Sequence, residues 1–206
     1  MLSVIRRVLV SSSPRHGVFS RKVALGAHGG AVDKFEGQSE KPPETPLKTA
    51  QSPAVLKPGL LPDAVLIVPK TSADIESYFS LRWRVLRAPW DQPRGSERDD
   101  REDESVHLMV RAANGEALAA GRLHLNSPTE AQVRFMAVDP QAQRRGVGSM
   151  VLRDLEDRAR AAGARRMILN ARESALRFYE RHAYKVEAPA DRLFGGVDHW
   201  RMSKDL

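Results

Sequence analysis

VDPQAQRRGVGSMVL, residues Val138 to Leu152, reads as a strand end, a glycine loop and the start of a helix. The first N–H groups of a helix have no intrahelical acceptor, and glycines let an anion approach them closely. The segment is therefore a cradle suited to a phosphate. A glycine loop alone is a weak signal, but this one carries Arg144 and Arg145 within it. It is followed on the next helical pattern by FYERHAY, Phe178 to Tyr184.

Working outward, the helix opened by the loop should run from Val147 to Ala162. Val147, Val151, Leu155, Ala159 and Ala162 lie on one side, and the pairs Asp154–Arg158 and Glu156–Arg160 lie on the other. Gly163 is a suitable stop. Upstream, Ala64 to Val68 gives a first strand. Thr71 and Ser72 can cap a helix reaching about Arg87, with Glu76 in support and Tyr78, Phe79 and Val85 among its apolar members, and Pro89 ends it. VHLMVRA and ALAAGRLHLN flank Asn114 and Gly115, a hairpin signal. After a turn at Ser127 and Pro128, AQVRFMAV leads into the glycine loop.

Downstream, RRMILN reads as a strand, Glu173 to His182 as a helix, and AYKVE and VDHWRMSK as strands. The order β, α, β, β, β, α, β, α, β, β gives an α/β fold with a mixed, largely antiparallel sheet flanked by helices. The stretch Pro93 to Ser105 is too polar for burial and is expected as a loop. Its acidic run Glu97 to Glu104 reads as solvated, or as the lining of an entry for a cationic amine.

The chain has 206 residues and a formal charge of +7. Residues 1–32 hold Arg6, Arg7, Arg15, Arg21 and Lys22 and no acid, so five of the seven charges sit there and +2 remains for the rest. A folded part so near neutrality argues against a nucleic-acid partner. With no cysteine, disulfides, thiolate metal sites and a cysteine nucleophile are excluded, and no metal is expected. No stretch approaches the roughly 18 apolar residues of a membrane span.

Residues 1–32, Arg-rich, Ser-rich and acid-free, have the composition of an organelle-targeting presequence, with mitochondrion favoured over plastid; a basic tail without an address, leaving the chain in the cytoplasm, is the other reading. Residues 33–60, with five prolines and no apolar period, read as a disordered linker, so that a disordered extension precedes a single domain over 61–206.

The loop and its partner helix together resemble the acetyl-CoA-binding core of the GNAT N-acetyltransferase superfamily. Its pattern is Gln or Arg, two variable residues, Gly, one variable residue, then Gly or Ala, and Gln143, Arg144, Arg145, Gly146, Val147 and Gly148 satisfy it. MAVDP resembles the family's strand end, ALRFYERHAY its tyrosine helix, and the element order agrees across about 140 residues. LRWRVLRAPW, GRLHLN, LNARESALRFYE and HWRM further resemble a group of small GNAT proteins whose acceptors are generally not established. Two positions depart from the wider family: Ala183 stands where many members have glycine, and Arg172 where many have asparagine.

The resemblance implies acetyl-CoA as co-substrate and an amine-bearing small molecule or peptide as acceptor, attacked directly in a ternary complex. A non-catalytic acyl-CoA-binding module is the alternative. Under the resemblance, N–H groups of Gln143 to Ser149 (Gln143, Arg144, Arg145, Gly146, Val147, Gly148, Ser149) hold the pyrophosphate, and the two arginine side chains either join them or are solvated. Met136 and Val138 offer main-chain groups to pantetheine. Tyr179 matches the family's donor to the leaving thiolate, and its other reading is a packed aromatic.

Free amines set the demand for a base. A lysine-like amine near ~10.4 is almost wholly protonated at neutrality, whereas an α-amine near ~7.8 is partly free. His199 on the last strand is the first candidate, as base or as a structural histidine. His124 and Glu130 come next.

Overall fold

The computed structural model describes residues 63–206; the expected presequence and linker lie outside the described residues. Seven strands form one sheet in the order β1-β2-β3-β4-β5-β7-β6. In chain order the elements are β1 (Val65–Ile67), α1 (Ser72–Leu86), β2 (Val106–Arg111), β3 (Ala117–Ser127), β4 (Glu130–Val138), α2 (Val147–Ala161), β5 (Arg166–Arg172), α3 (Leu176–Glu180), β6 (Lys185–Leu193) and β7 (Val197–Asp205). All neighbours are antiparallel except β4 and β5. A parallel neighbour needs a long crossover, and α2 supplies it. No helix among the described residues is long and apolar enough to cross a membrane.

The strands alternate their faces with period two. Leu108 and Val110 of β2 pack with Val151, Leu152 and Leu155 of α2 in one core, while Met109 joins Tyr78, Leu81 and Leu86 of α1 in the other. The two helices therefore cover opposite faces. Each fully buried aliphatic on α2 contributes about 1.5–3 kcal/mol of burial. Gly121 on β3 lets α2 close on the sheet, because a Cβ there would stand 2.8 Å from Val151 Cγ1 and 3.0 Å from both Leu155 Cδ1 and Met136 Sδ.

Local signals account for most boundaries. Thr71 Oγ1 accepts from the Asp74 N–H at 3.1 Å and starts α1, while Gly163 takes φ +92 after α2. Glu76 is not part of that cap. Between β2 and β3, Ala112 accepts from the Gly115 N–H at 3.0 Å and Gly115 takes φ +89, so the Asn-Gly hairpin closes through a longer loop than two residues. The tyrosine helix is shorter than its pattern: a 3₁₀ turn over Glu173–Ala175 precedes a five-residue α3. β6 starts at Lys185 and runs on to Leu193, with Pro189 tolerated because β6 is an edge strand.

Two expectations from charge are corrected. Pro93 to Ser105 is a loop, but only Asp100, Asp103 and Glu104 of its acidic run are exposed, while Glu97, Asp99 and Glu102 turn inward. Arg82 of α1 and Arg122 of β3 are fully buried, and this loop supplies their counter-charge. Glu102 accepts from Arg82 at 2.8 and 2.9 Å and from Arg122 at 2.8 Å, and Asp99 takes the other side of the Arg122 fork. Paired and hydrogen-bonded charges can be buried where single ones cannot. Glu156 likewise faces inward, bound to Lys204 of β7 at 2.7 Å, with Arg160 3.7 Å away.

Candidate active site

The parallel pair β4–β5 holds for four residues only, from Glu130↔Arg166 to Val133↔Leu169. Beyond them β4 continues to Val138 on the β3 side and β5 to Arg172 on the β7 side, so the sheet splays open in its middle. A bulge in β4 accompanies the splay. Arg134 pairs with Arg122 and Ala137 with Ala120, leaving Phe135 and Met136 opposite Gly121 alone, and Phe135 takes φ +53. The Phe135 ring lies under Arg82, 3.9 Å from the guanidinium carbon, with Arg122 at 4.8 Å. The buried arginines and their acidic loop thus hold the bulge in its left-handed conformation.

A cavity of about 200 Å³ occupies the splay. Val133, Phe135 and Met136 of β4 and Leu169 to Arg172 of β5 line it, with Tyr179 of α3, Arg87 after α1 and His199 of β7. Of the residues singled out in the sequence, Met136, Tyr179 and His199 meet here. Val138, two residues beyond Met136, ends the same strand against α2. A Cβ on Gly148 would stand 3.0 Å from Val138 Cγ2 and 3.6 Å from the Phe178 ring, so a larger residue there would have to push the Val138 side chain aside by a few tenths of an ångström.

The glycine loop lies outside the cavity lining, at the far end of β4. Arg144 takes φ +60 and Gly146, the N-cap of α2, takes φ +81. No side chain caps α2, so its first N–H groups are left for a ligand. Gln143, Arg144, Arg145 and Gly146 are exposed, Val147 and Gly148 are buried, and Ser149 is half-buried. Neither arginine of the loop makes an ion pair among the described residues.

Tyr179 is 6% exposed, its ring edge-on to Phe178 at 5.0 Å and to Tyr184 at 5.8 Å. Burial pushes its phenol above the ordinary value. The residue is thus both a packed aromatic and a wall of the cavity, and its hydroxyl makes no hydrogen bond among the described residues.

His199 sits opposite Arg172 across β5–β7 and donates from Nδ1 to the Val197 carbonyl at 3.0 Å. That bond puts the lone pair of the neutral ring on Nε2. Burial lowers its pKa, and Arg172 and Arg87 lower it further against the opposing effect of the Val197 bond. These influences together favour the neutral ring, the form a base would need. His124 and Glu130 do not line the cavity. His124 binds Asn126 Oδ1 at 3.1 Å through Nε2, and burial with nearby arginines takes its pKa down to about 4; Glu130 accepts from Asn126 at 3.1 Å.

The sequence did not single out Arg87, or Phe135 at the bulge. Arg172 was visible only as a departure from a familiar pattern.

Residues 75–184 match the family model described as Acetyltransferase (GNAT) family. The chain belongs to the GNAT acetyltransferase family. It is 30% identical over 140 residues to the uncharacterized N-acetyltransferase YjcF of Bacillus subtilis (strain 168), covering 68% of this chain and 98% of that one. This GNAT chain also shares its fold with solved structures of low identity. An acyl-CoA N-acyltransferase from Pseudomonas aeruginosa superposes with a TM-score of 0.56 at 19% identity, over 69% of this chain and 98% of that one. A GNAT family acetyltransferase from Elizabethkingia anophelis with acetyl-CoA bound gives 0.55 at 13%, over 71% and 100%.

Proposed function

We propose that the chain transfers an acetyl group from acetyl-CoA to an amine by direct attack in a ternary complex. The observation that carries this reading is the splay between β4 and β5, whose unpaired strand edges open into one cavity with Tyr179 and His199. Pantetheine contains amides, and a strand edge that has lost its neighbour presents the N–H and C=O groups to pair with them. At the other end of β4, the uncapped α2 N-terminus suits the pyrophosphate, and Arg144 and Arg145 add positive charge. Main-chain groups of Met136 and Val138 lie along the strand joining these two places. An N–H there aimed at the thioester oxygen would be worth about 3 kcal/mol.

In the transfer, the amine nitrogen forms the new N–C bond as the C–S bond breaks. Nε2 of His199 takes the proton the ammonium loses before attack; the second proton, lost from nitrogen as the amide forms, goes to the departing thiolate, to which the Tyr179 hydroxyl donates a hydrogen bond. Residues 1–32 support a second proposal, delivery to the mitochondrion, which a fluorescent protein fused behind residues 1–60 would report.

Thiol release from acetyl-CoA in the presence of a panel of amines tests the main reading. Release that depends on the amine and yields its N-acetyl product is expected. Tight CoA binding without release from any amine would replace the enzyme by an acyl-CoA-binding module.

A further inference from the structure

Two arginines on the cavity wall, Arg87 and Arg172, make no ion pair among the described residues, and Glu97 is the one acid whose charge reaches Arg87. Arg87 donates from Nε to the Ser96 carbonyl at 2.8 Å and from Nη1 to the Leu86 carbonyl at 3.2 Å. Arg172 donates from Nη2 to the same Leu86 carbonyl at 2.9 Å and from Nη1 to Val85 at 3.5 Å. The two guanidiniums thus share one neutral acceptor, which holds two like charges side by side. Neither makes an ion pair among the described residues. Arg82, Arg122 and Arg134 near them all reach a carboxylate of the acidic loop. Asp191 is the only acidic residue lining the cavity, and it pairs with neither arginine.

Binding the last carbonyls of α1 is one task of Arg172, since a cation there suits the helix C-terminus. It does not use the whole side chain. A guanidinium has five N–H groups, and each arginine spends two. What remains is a pair of partly buried forks facing a cavity, a geometry that matches the two oxygens of a carboxylate. His199 is the cross-strand partner of Arg172, so its Nε2 lies on the same face of the sheet and a short distance from that charge.

We propose that Arg87 and Arg172 form a carboxylate subsite beside His199, so that the acceptor is an amine carrying its own carboxylate at amino-acid spacing. The proposal rests on the acetyl-transfer reading for the amine and on the paired guanidiniums for the carboxylate. One end of the acceptor is held by charge while the other presents its nitrogen to His199.

The twenty amino acids are assayed as acceptors, each beside its α-amide, with phosphoethanolamine as a phosphate-bearing amine. Free acids are expected to exceed their amides at least tenfold in kcat/KM. Arg172→Gln should erase that preference by raising the acceptor KM tenfold or more for acids, with little change for amides and with the acetyl-CoA KM within twofold. Arg172→Lys should keep part of the preference. Simple loss of the helix-end contact would lower acids and amides alike.

Equal use of acids and amides by the wild type would overturn the subsite, as would preference for phosphoethanolamine over every acid. A rise in the acetyl-CoA KM in Arg172→Gln would assign the arginine to the donor instead. If no amine is acetylated, calorimetry with N-acetyl amino acids in the presence of CoA decides separately. Binding weakened tenfold by Arg172→Gln would keep the subsite and sink the transfer reading. No binding of any of them would sink the subsite.

Discussion

Replacing Tyr179 by Phe separates two roles for one hydroxyl. The ring sits edge-on to Phe178 and Tyr184, and those contacts survive the change. The hydroxyl bonds to no described residue, so removing it orphans no partner, and stability should change by less than about 1 kcal/mol. A phenol near ~10 giving its proton to a thiolate near ~8.5 is already uphill by roughly 2 kcal/mol. Burial raises the phenol further and makes full transfer worse. The useful service is then a hydrogen bond to the leaving sulfur, which for a charged acceptor is worth about 1.5–3 kcal/mol. Lost from the transition state alone, that predicts a fall in kcat of about 10- to 150-fold. The acetyl-CoA KM should stay within about twofold. Initial rates of thiol release across pH 6–9, with melting temperatures as a control, measure both. Turnover within a factor of two of wild type would refute the role. A much larger loss, with a wild-type alkaline limb that the variant lacks, would restore full proton transfer.

Further outcomes follow from other residues. If His199 is the base, its lowered pKa means that wild-type kcat falls on an acid limb below about pH 6.5, where His199→Asn is flat; coincident profiles would remove it. Ala183 takes φ +66, a conformation that costs an L-residue roughly 1–2 kcal/mol, so Ala183→Gly should stabilise by about 0.5–1 kcal/mol after the entropy of the unfolded chain is counted. A melting temperature raised by about 2–3 °C is expected, and a lowered one would contradict the strain. Burial raises the Asp99 pKa, but the Arg122 hydrogen bond, the Arg101 N–H and the charges of Arg122 and Arg134 outweigh it and hold it at about 2. Its contribution to stability is therefore complete above about pH 4, the unfolded value, and is lost as pH falls toward 2; urea midpoints for Asp99→Asn that keep the wild-type slope in that window would refute this.

Where structure depends on neighbours in sequence, it was legible. The Asn114-Gly115 turn, the Thr71 cap, the Gly163 stop and the glycine loop are each set within a few residues, and each gave its element correctly. Ala183 was readable too, since a familiar pattern marks that place for glycine and the backbone there does turn left-handed. Errors came where distant residues supply the energy. The acidic loop was read as solvated because Arg82 and Arg122 lie on a helix and a strand far from it in sequence. Glu156 was assigned to the polar face because its partner Lys204 is 48 residues away. In the site, Tyr179, marked by its match to a family position, and His199, marked by residue type on the last strand, both line the cavity. Arg87 and the Phe135 bulge were not marked, since nothing local in the sequence shows which arginine lacks a carboxylate or where a strand gains a residue.

Four residue pairs are all that join β1–β4 to β5–β7 across the sheet. Past that short seam the molecule carries two strand edges in its interior, the kind of surface that elsewhere recruits another chain. On the proposed reading the donor fills the gap as a missing strand would, which would make occupancy of the site and integrity of the sheet one equilibrium viewed from two sides. Amide exchange along Arg134 to Val138 should slow on adding CoA, in proportion to the ligand free energy gained.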